Sequence, residues 1–292
     1  MKNVLRAATV IGMATFSSNV MAADVAPPAE SPFSAVFEGW AGGYFLSGEN
    51  GNFEPDDKSF FALGGAGRAR LNLSDIIAVQ IDGETDYVDG GKKSNDTYED
   101  GVQGGLHLSL YNDSGLVGLM GAIGDVNTDN ESANFWLIGA EGQMYFDQTT
   151  LYLQAGYLDS KSNDDPDDAF NNAFFVRGVG RYFLSPQTRM QAEVSGAWGD
   201  EDSDKQNMEV YGWGLRADHQ LIDMLSMFVG YQGAYYDNCC DDDDDGHYVD
   251  HQVRVGISLL LGRPDLLSVD RTGPTLDLPW VSHWVAAGSN LD

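Results

Sequence analysis

Basic residues are scarce in this chain. Only 16 Lys and Arg stand against 45 Asp and Glu, a formal charge of −29 over 292 residues. So acidic a molecule repels nucleic-acid phosphates, which argues against a nucleic-acid partner. Cysteine is nearly absent, at Cys239 and Cys240 only. Adjacent Cα atoms sit about 3.8 Å apart across a trans peptide, short of the about 4.4–6.8 Å that a disulfide spans. A bond between these two would be strained, and unpaired or strained thiols on a loop are expected. A soft-metal site adding His247 or His251 is the alternative. Beyond the N-terminal segment, no window holds the about 18 consecutive apolar residues that a membrane helix needs. Helical periodicity is nearly missing from residues 35 to 262. Aromatics are not scarce: Phe, Tyr and Trp make up 11% of the chain, against the disorder that acidity alone would suggest.

What is present begins with an address. Lys2 and Arg6 precede the apolar stretch Ala7–Phe16, and small residues follow. This predicts a signal peptide over 1–22, cleaved after Val20-Met21-Ala22, and an exported chain with a flexible lead-in over 23–34.

From residue 35 onward the recurring period is two. Val249, His251, Val253, Val255, Ile257, Leu259 and Leu261 share one face, with Asp250, Gln252, Arg254 and Ser258 on the other. Phe61, Leu63, Ala69, Leu71 and Leu73 alternate with Arg68, Arg70 and Asn72. Val102, Leu106, Leu108 and Leu110 alternate with Gln103, His107, Ser109 and Tyr111. Short turns fall near Ser74-Asp75, Asn112–Gly115, Asp147–Thr149, Ser185–Gln187 and Leu221–Met224. Longer polar loops occupy 49–58, 88–100, 126–133, 159–171, 200–207 and 237–248. Five turns and six loops connect twelve strands, each long for a soluble sheet but suited to a tilted membrane crossing.

Signal peptide, even strand count, two loop classes, Gly- and aromatic-rich strands and the closing "VRVGISLLLG" together resemble the bacterial outer-membrane porin-like β-barrels. The resemblance covers residues 35–262 and is one of pattern, without a catalytic or ligand motif. It implies an all-β, closed antiparallel transmembrane barrel of 12 strands in the bacterial outer membrane. External long loops, periplasmic short turns and passage of small hydrophilic solutes are also implied. The implied partners are outer-membrane lipids, lipopolysaccharide and the barrel assembly machinery. Trp40, Tyr44, Phe45, Tyr145, Phe146, Tyr182, Phe183, Tyr235 and Tyr236, close to strand ends, read as interface girdles. Alternation alone leaves a soluble sandwich or a lipocalin-like barrel open.

The six long loops hold 25 of the 45 acidic residues and 5 of the 16 basic ones. Asp241-x-Asp243-x-Asp245-Gly246 has the spacing that opens a calcium loop, but Gln252 stands where such a loop ends in Glu. No cofactor is expected beyond weakly held Ca²⁺ or Mg²⁺ at Asp241, Asp243 and Asp245. Alternation points Arg68, Arg70, Arg177, Arg181, Arg189, Arg216 and Arg254 inward. The same rule sends Glu38, Asp82, Glu84, Asp86, Glu141, Glu193, Glu209, Asp218 and Asp250 inward with them. Such a set suits the lining of a narrow aqueous path, and the acidic mouth favours cations. The alternative is that these groups pair and fill the lumen, giving a structural or adhesive barrel. A lipid hydrolase would need a Ser/His pair at the outer wall, whereas His107 and Ser109 point inward near a turn, so no enzyme is expected. The tail, 263–292, is expected on the periplasmic side, with Pro279 opening a short helix that carries Trp280 and Trp284; its docking place, whether barrel mouth, membrane interface or a partner, is left open.

Overall fold

The structure is a computed structural model, and it describes residues 31–49, 58–89, 98–128, 132–162, 170–201, 206–237 and 247–288. The expected signal peptide, Cys239, Cys240 and the Asp241, Asp243, Asp245 cluster lie outside the described residues.

Twelve strands follow one another: β1 (Phe33–Glu49), β2 (Lys58–Asn72), β3 (Ile77–Asp89), β4 (Tyr98–Asn112), β5 (Gly115–Thr128) and β6 (Ser132–Phe146) form the first half. β7 (Thr149–Ser162), β8 (Phe170–Ser185), β9 (Thr188–Glu201), β10 (Gln206–Ile222), β11 (Leu225–Asp237) and β12 (His247–Leu261) complete it. Each pairs antiparallel with its sequence neighbour, and β1 closes on β12 from Ala35↔Leu261 to Glu49↔His247. Closure leaves no strand edge unpaired, as a solvent without hydrogen bonds to offer requires.

The polarity of the wall identifies that solvent. On β4, Leu106, Leu108 and Leu110 are exposed while Gln103, His107 and Ser109 are buried. Val253, Val255 and Ile257 of β12 are exposed, and Asp250, Gln252 and Ser258 are buried. A water-soluble barrel would do the opposite, since each such side chain is stabilised by about 1.5–3 kcal/mol on leaving water. The apolar row faces lipid and the charged row faces the lumen. This is a transmembrane barrel.

The aromatic girdle needs correction. Tyr44, Phe183 and Tyr236 are buried toward the lumen, whereas Phe45, Phe146 and Tyr182 are exposed. Adjacent residues on a strand point to opposite faces, so each aromatic pair is necessarily split. Trp40 also lies inside, flat over Gly64, where a Cβ would come within 2.4 Å of its ring. The outer face instead carries Trp136, Tyr157 and Phe174 as one ring cluster, and Trp198 with Tyr211 as another.

The tail, whose docking place the sequence leaves open, lies inside the barrel. Gly262 takes φ +78°, a conformation side chains disfavour, and a Cβ there would meet the Phe33 carbonyl at 2.5 Å. That glycine turns the chain off the wall. Helix α1 (Leu266–Thr272) follows, capped by Asp265, whose side chain accepts from the Ser268 amide at 2.7 Å. After an extended stretch comes α2 (Val281–Gly288), packed against β4, β5, β6 and β8. Val281, Trp284, Val285 and Ala287 are all buried. A free apolar tail gains nothing in water, whereas inside the barrel its side chains and the wall bury each other.

Candidate functional site

The lumen is built from small residues, guanidinium–carboxylate pairs and the tail. At the short-turn end, α1 is fixed by wall groups. The Leu267 amide donates to the Pro186 carbonyl at 3.1 Å, and Gln220 donates to the Pro264 carbonyl at 2.8 Å. Arg271 reaches the carbonyls of Phe146, Asp147 and Thr149. Thr150 and Arg181 hold Asp270, the arginine at 2.9 Å. Arg70 donates to the Gly273 carbonyl at 3.1 Å and lies 4.5 Å from the centre of the Tyr111 ring.

The extended stretch is read by a row of glutamines. Gln80 donates to the Leu276 carbonyl at 2.7 Å, Gln103 to Pro279 at 3.1 Å and Gln154 to Asp277 at 2.8 Å. Backbone carbonyls that leave water must find donors, and these amides supply them. Two wall glycines make the groove. A Cβ at Gly105 would meet Leu278 at 2.8 Å, and one at Gly101 would meet Ser282 Cβ at 2.8 Å.

Asp277 is the charged centre of the tail. Arg177 donates to it at 2.9 Å while gripping Glu193 through Nε and Nη2, both at 2.7 Å. Arg181 stands 3.7 Å away and Arg68 4.0 Å away. Burial alone would raise the Asp277 carboxyl, but Arg177 and Arg181 hold it well below the usual carboxylate range. Across the lumen runs a second network. Arg189 pairs with Asp218 at 3.1 Å, Arg216 joins Asp218 to Glu38 at 2.8 and 2.7 Å, and Arg68 meets Glu38 at 3.0 Å. Arg216 also passes 3.8 Å above the Phe228 ring.

A third cluster centres on His107, fully buried, with Nδ1 2.8 Å from Glu141 and Nε2 3.0 Å from Asp82. Tyr152 donates to Glu141 at 2.7 Å. Both imidazole nitrogens are engaged by carboxylates, and His107 has no bond to Ser109. Toward the other end of the lumen, His283 of α2 sits between two walls. Its Nε2 is 2.9 Å from Asp86, and its Nδ1 lies 3.4 Å from Asp250 without hydrogen-bond geometry. Tyr98 donates to Asp86, Tyr44 and Tyr236 donate to Asp250, and Trp280 stacks 3.5 Å from the imidazole. Burial would lower the His283 pKa, but the two carboxylates outweigh it and raise it above the ordinary imidazole value.

Arg68, Arg70, Asp82, Glu84, Asp86, Glu141, Arg177, Arg181, Arg189, Glu193, Arg216 and Arg254 all face the interior: Arg70 at α1, Asp86 at His283, and the rest in the three networks above or at the cavity they leave. Glu209 does not. It lies on the outer face and accepts from Tyr211 Oη. The cavity is bordered by six arginines and five carboxylates, with Trp40 on the wall side and Trp280 and Trp284 on the tail side. Water centres have about 110 Å³ there, several times the about 10–15 Å³ that one water needs. Sequence reasoning missed Asp270, Asp277 and His283. Their signal was a tail in which Leu, Val and Trp are interleaved with acidic residues, unlike a solvated appendage.

No protein-family model and no curated protein sequence matches the chain. Solved structures do resemble it. An outer membrane channel from Pseudomonas putida F1 is 15% identical, with 82% of this chain and 100% of that one covered and a TM-score of 0.50. The translocator domain of the autotransporter NalP from Neisseria meningitidis is 12% identical over 78% of this chain and 88% of that one, TM-score 0.49. The KdgM porin, solved with disordered oligogalacturonate, is 7% identical over 76% of this chain and 98% of that one, TM-score 0.44. Such identities speak to fold, which is that of bacterial outer-membrane barrels.

Proposed function

We propose that this protein is an outer-membrane channel for passive diffusion of small hydrophilic solutes, with its bore narrowed by its own C-terminal segment. The observation that carries the reading is the cavity between tail and wall, wet in size and charged in lining, inside a lipid-facing barrel. Helix α2 packs against β4, β5, β6 and β8, and the remaining space is lined mainly from β8–β12 and β1–β3.

Charge selectivity follows from two layers. The acidic loops, net −20 by sequence, concentrate cations at the outer mouth. The cavity lining, six guanidiniums against five carboxylates, adds little of either sign. A modest cation preference results, set at the mouth and screened as salt shortens the Debye length from about 10 Å at 0.1 M to about 3 Å at 1 M. The test is a reversal potential in a planar bilayer under a KCl gradient. A cation-selective sign that fades at high salt supports the mechanism, and an anion-selective sign removes it. A non-transporting structural barrel is the second reading, favoured by one observation: the tail threads the lumen from the short-turn end to His283.

A further inference from the structure

Almost every charge at the cavity is already committed. Glu38, Glu193, Asp277 and Asp82 each have a guanidinium or imidazole partner. Two groups are exceptions. Arg254 has no ion pair among the described residues: its Nε is buried without a hydrogen-bond partner, and its guanidinium stands 5.7 Å from the centre of the Trp40 ring. Glu84 also has no ion pair among the described residues, and its one polar contact is a long approach from Gln103 at 3.4 Å. Both line the same cavity, with Trp40 beside them and Trp280 on the tail.

A charge that lines a wet cavity without closing an ion pair is open to an incoming partner of opposite sign. Here a guanidinium and a carboxyl group that close no ion pair are held on β12 and β3, with the two strands β1 and β2 between them. They close no ion pair with each other, yet each is the strongest opposite charge acting on the other, so they face one another across a gap. Arg68 and Arg216 are bound to Glu38, and neither closes an ion pair with Glu84.

We propose that the cavity binds a small amino-acid-like zwitterion, its carboxylate on the Arg254 guanidinium and its ammonium on Glu84. A planar fork suits a carboxylate, and a carboxylate such as Glu84 suits an ammonium. A simple anion would satisfy Arg254 and leave Glu84 bare, and a simple cation would do the reverse. This deepens the channel reading, on whose luminal path it rests, by naming the solute class.

The test is isothermal titration of the full chain in detergent micelles with L-alanine, and with acetate and methylammonium as single-charge controls. Saturable L-alanine binding is expected, with each control at least tenfold weaker. E84Q and R254Q should each weaken L-alanine at least tenfold, while R254K retains part of the affinity. A gel shift on boiling verifies that each variant is a folded barrel, and only folded variants are titrated. Absence of saturable L-alanine heat in the unmodified protein overturns the proposal. Equal binding of acetate and L-alanine, lost only in R254Q, also overturns it in favour of a plain anion site. Binding without conductance would sink the channel reading and keep this one, and conductance without binding would do the reverse.

Discussion

Asp277 is the residue on which tail and wall agree most closely. It takes hydrogen bonds from Arg177 at 2.9 and 3.3 Å, and removing its charge leaves buried guanidiniums with less to hold. Hydrogen bonds to charged groups contribute about 1.5–3 kcal/mol, so Asp277→Asn should weaken tail docking by about that much. Limited proteolysis reads it: cleavage within 263–288 should accelerate while the boiling-dependent gel shift stays. Because the Asp277 pKa is depressed, its contribution is present above the ordinary value of 3.8 and lost only as pH falls through the lower folded value. Mild acid should therefore leave this anchor intact. Much at this scale was legible in the sequence, because alternation assigns a face to each side chain once the phase of a strand is known. Glu209 shows the limit of care rather than of principle. It lies an odd number of residues from Arg216, so uninterrupted alternation sends it outward, where it is found.

At the scale of elements, α2 is held by a contact with a pH sign. Burial pushes the His283 imidazole down, Asp250 and Asp86 push it up further, and the net shift is upward from 6.5. A raised folded value means stabilisation is complete below 6.5 and is lost as pH rises through the folded pKa. Docking of α2 should thus loosen in alkali, not in acid. Tail proteolysis measured from pH 6 to 10 should rise toward the alkaline end, and His283→Gln should flatten that profile. A rise toward acid would show that some other group governs. Gly101 tests the same element by bulk, with the Tyr98 hydroxyl and Ser282 both in the path of a new side chain. With Ser282 Cβ 2.8 Å from where its Cβ would stand, Gly101→Leu should release α2 at every pH and leave the barrel folded. Glycines inside strands were visible in the sequence, and two of them, Gly101 and Gly105, mark close approach of tail side chains. What approached was not visible, since a thirty-residue tail carries no periodicity that names its partner. The helix near Pro279 was readable, and its place inside the barrel was not.

For the whole molecule, topology came almost entirely from pattern. Two loop classes and long alternating strands specify a closed even-stranded barrel, because lipid admits no unpaired edge. The girdle was misread at this scale because aromatic count near strand ends says nothing of which face each ring takes. The place of the tail in the lumen was not legible, because a barrel is a container and strand pattern describes only its wall. The tail, the charged networks and the cavity together make the central claim, a conducting barrel narrowed by its own C-terminus. Single-channel recording of the full chain beside a chain ending at Gly262, both verified as folded by gel shift, tests it directly. The account predicts a small, steady conductance for the full chain and one at least several-fold larger for the shortened chain. Equal conductance from both, or none from either, would contradict it.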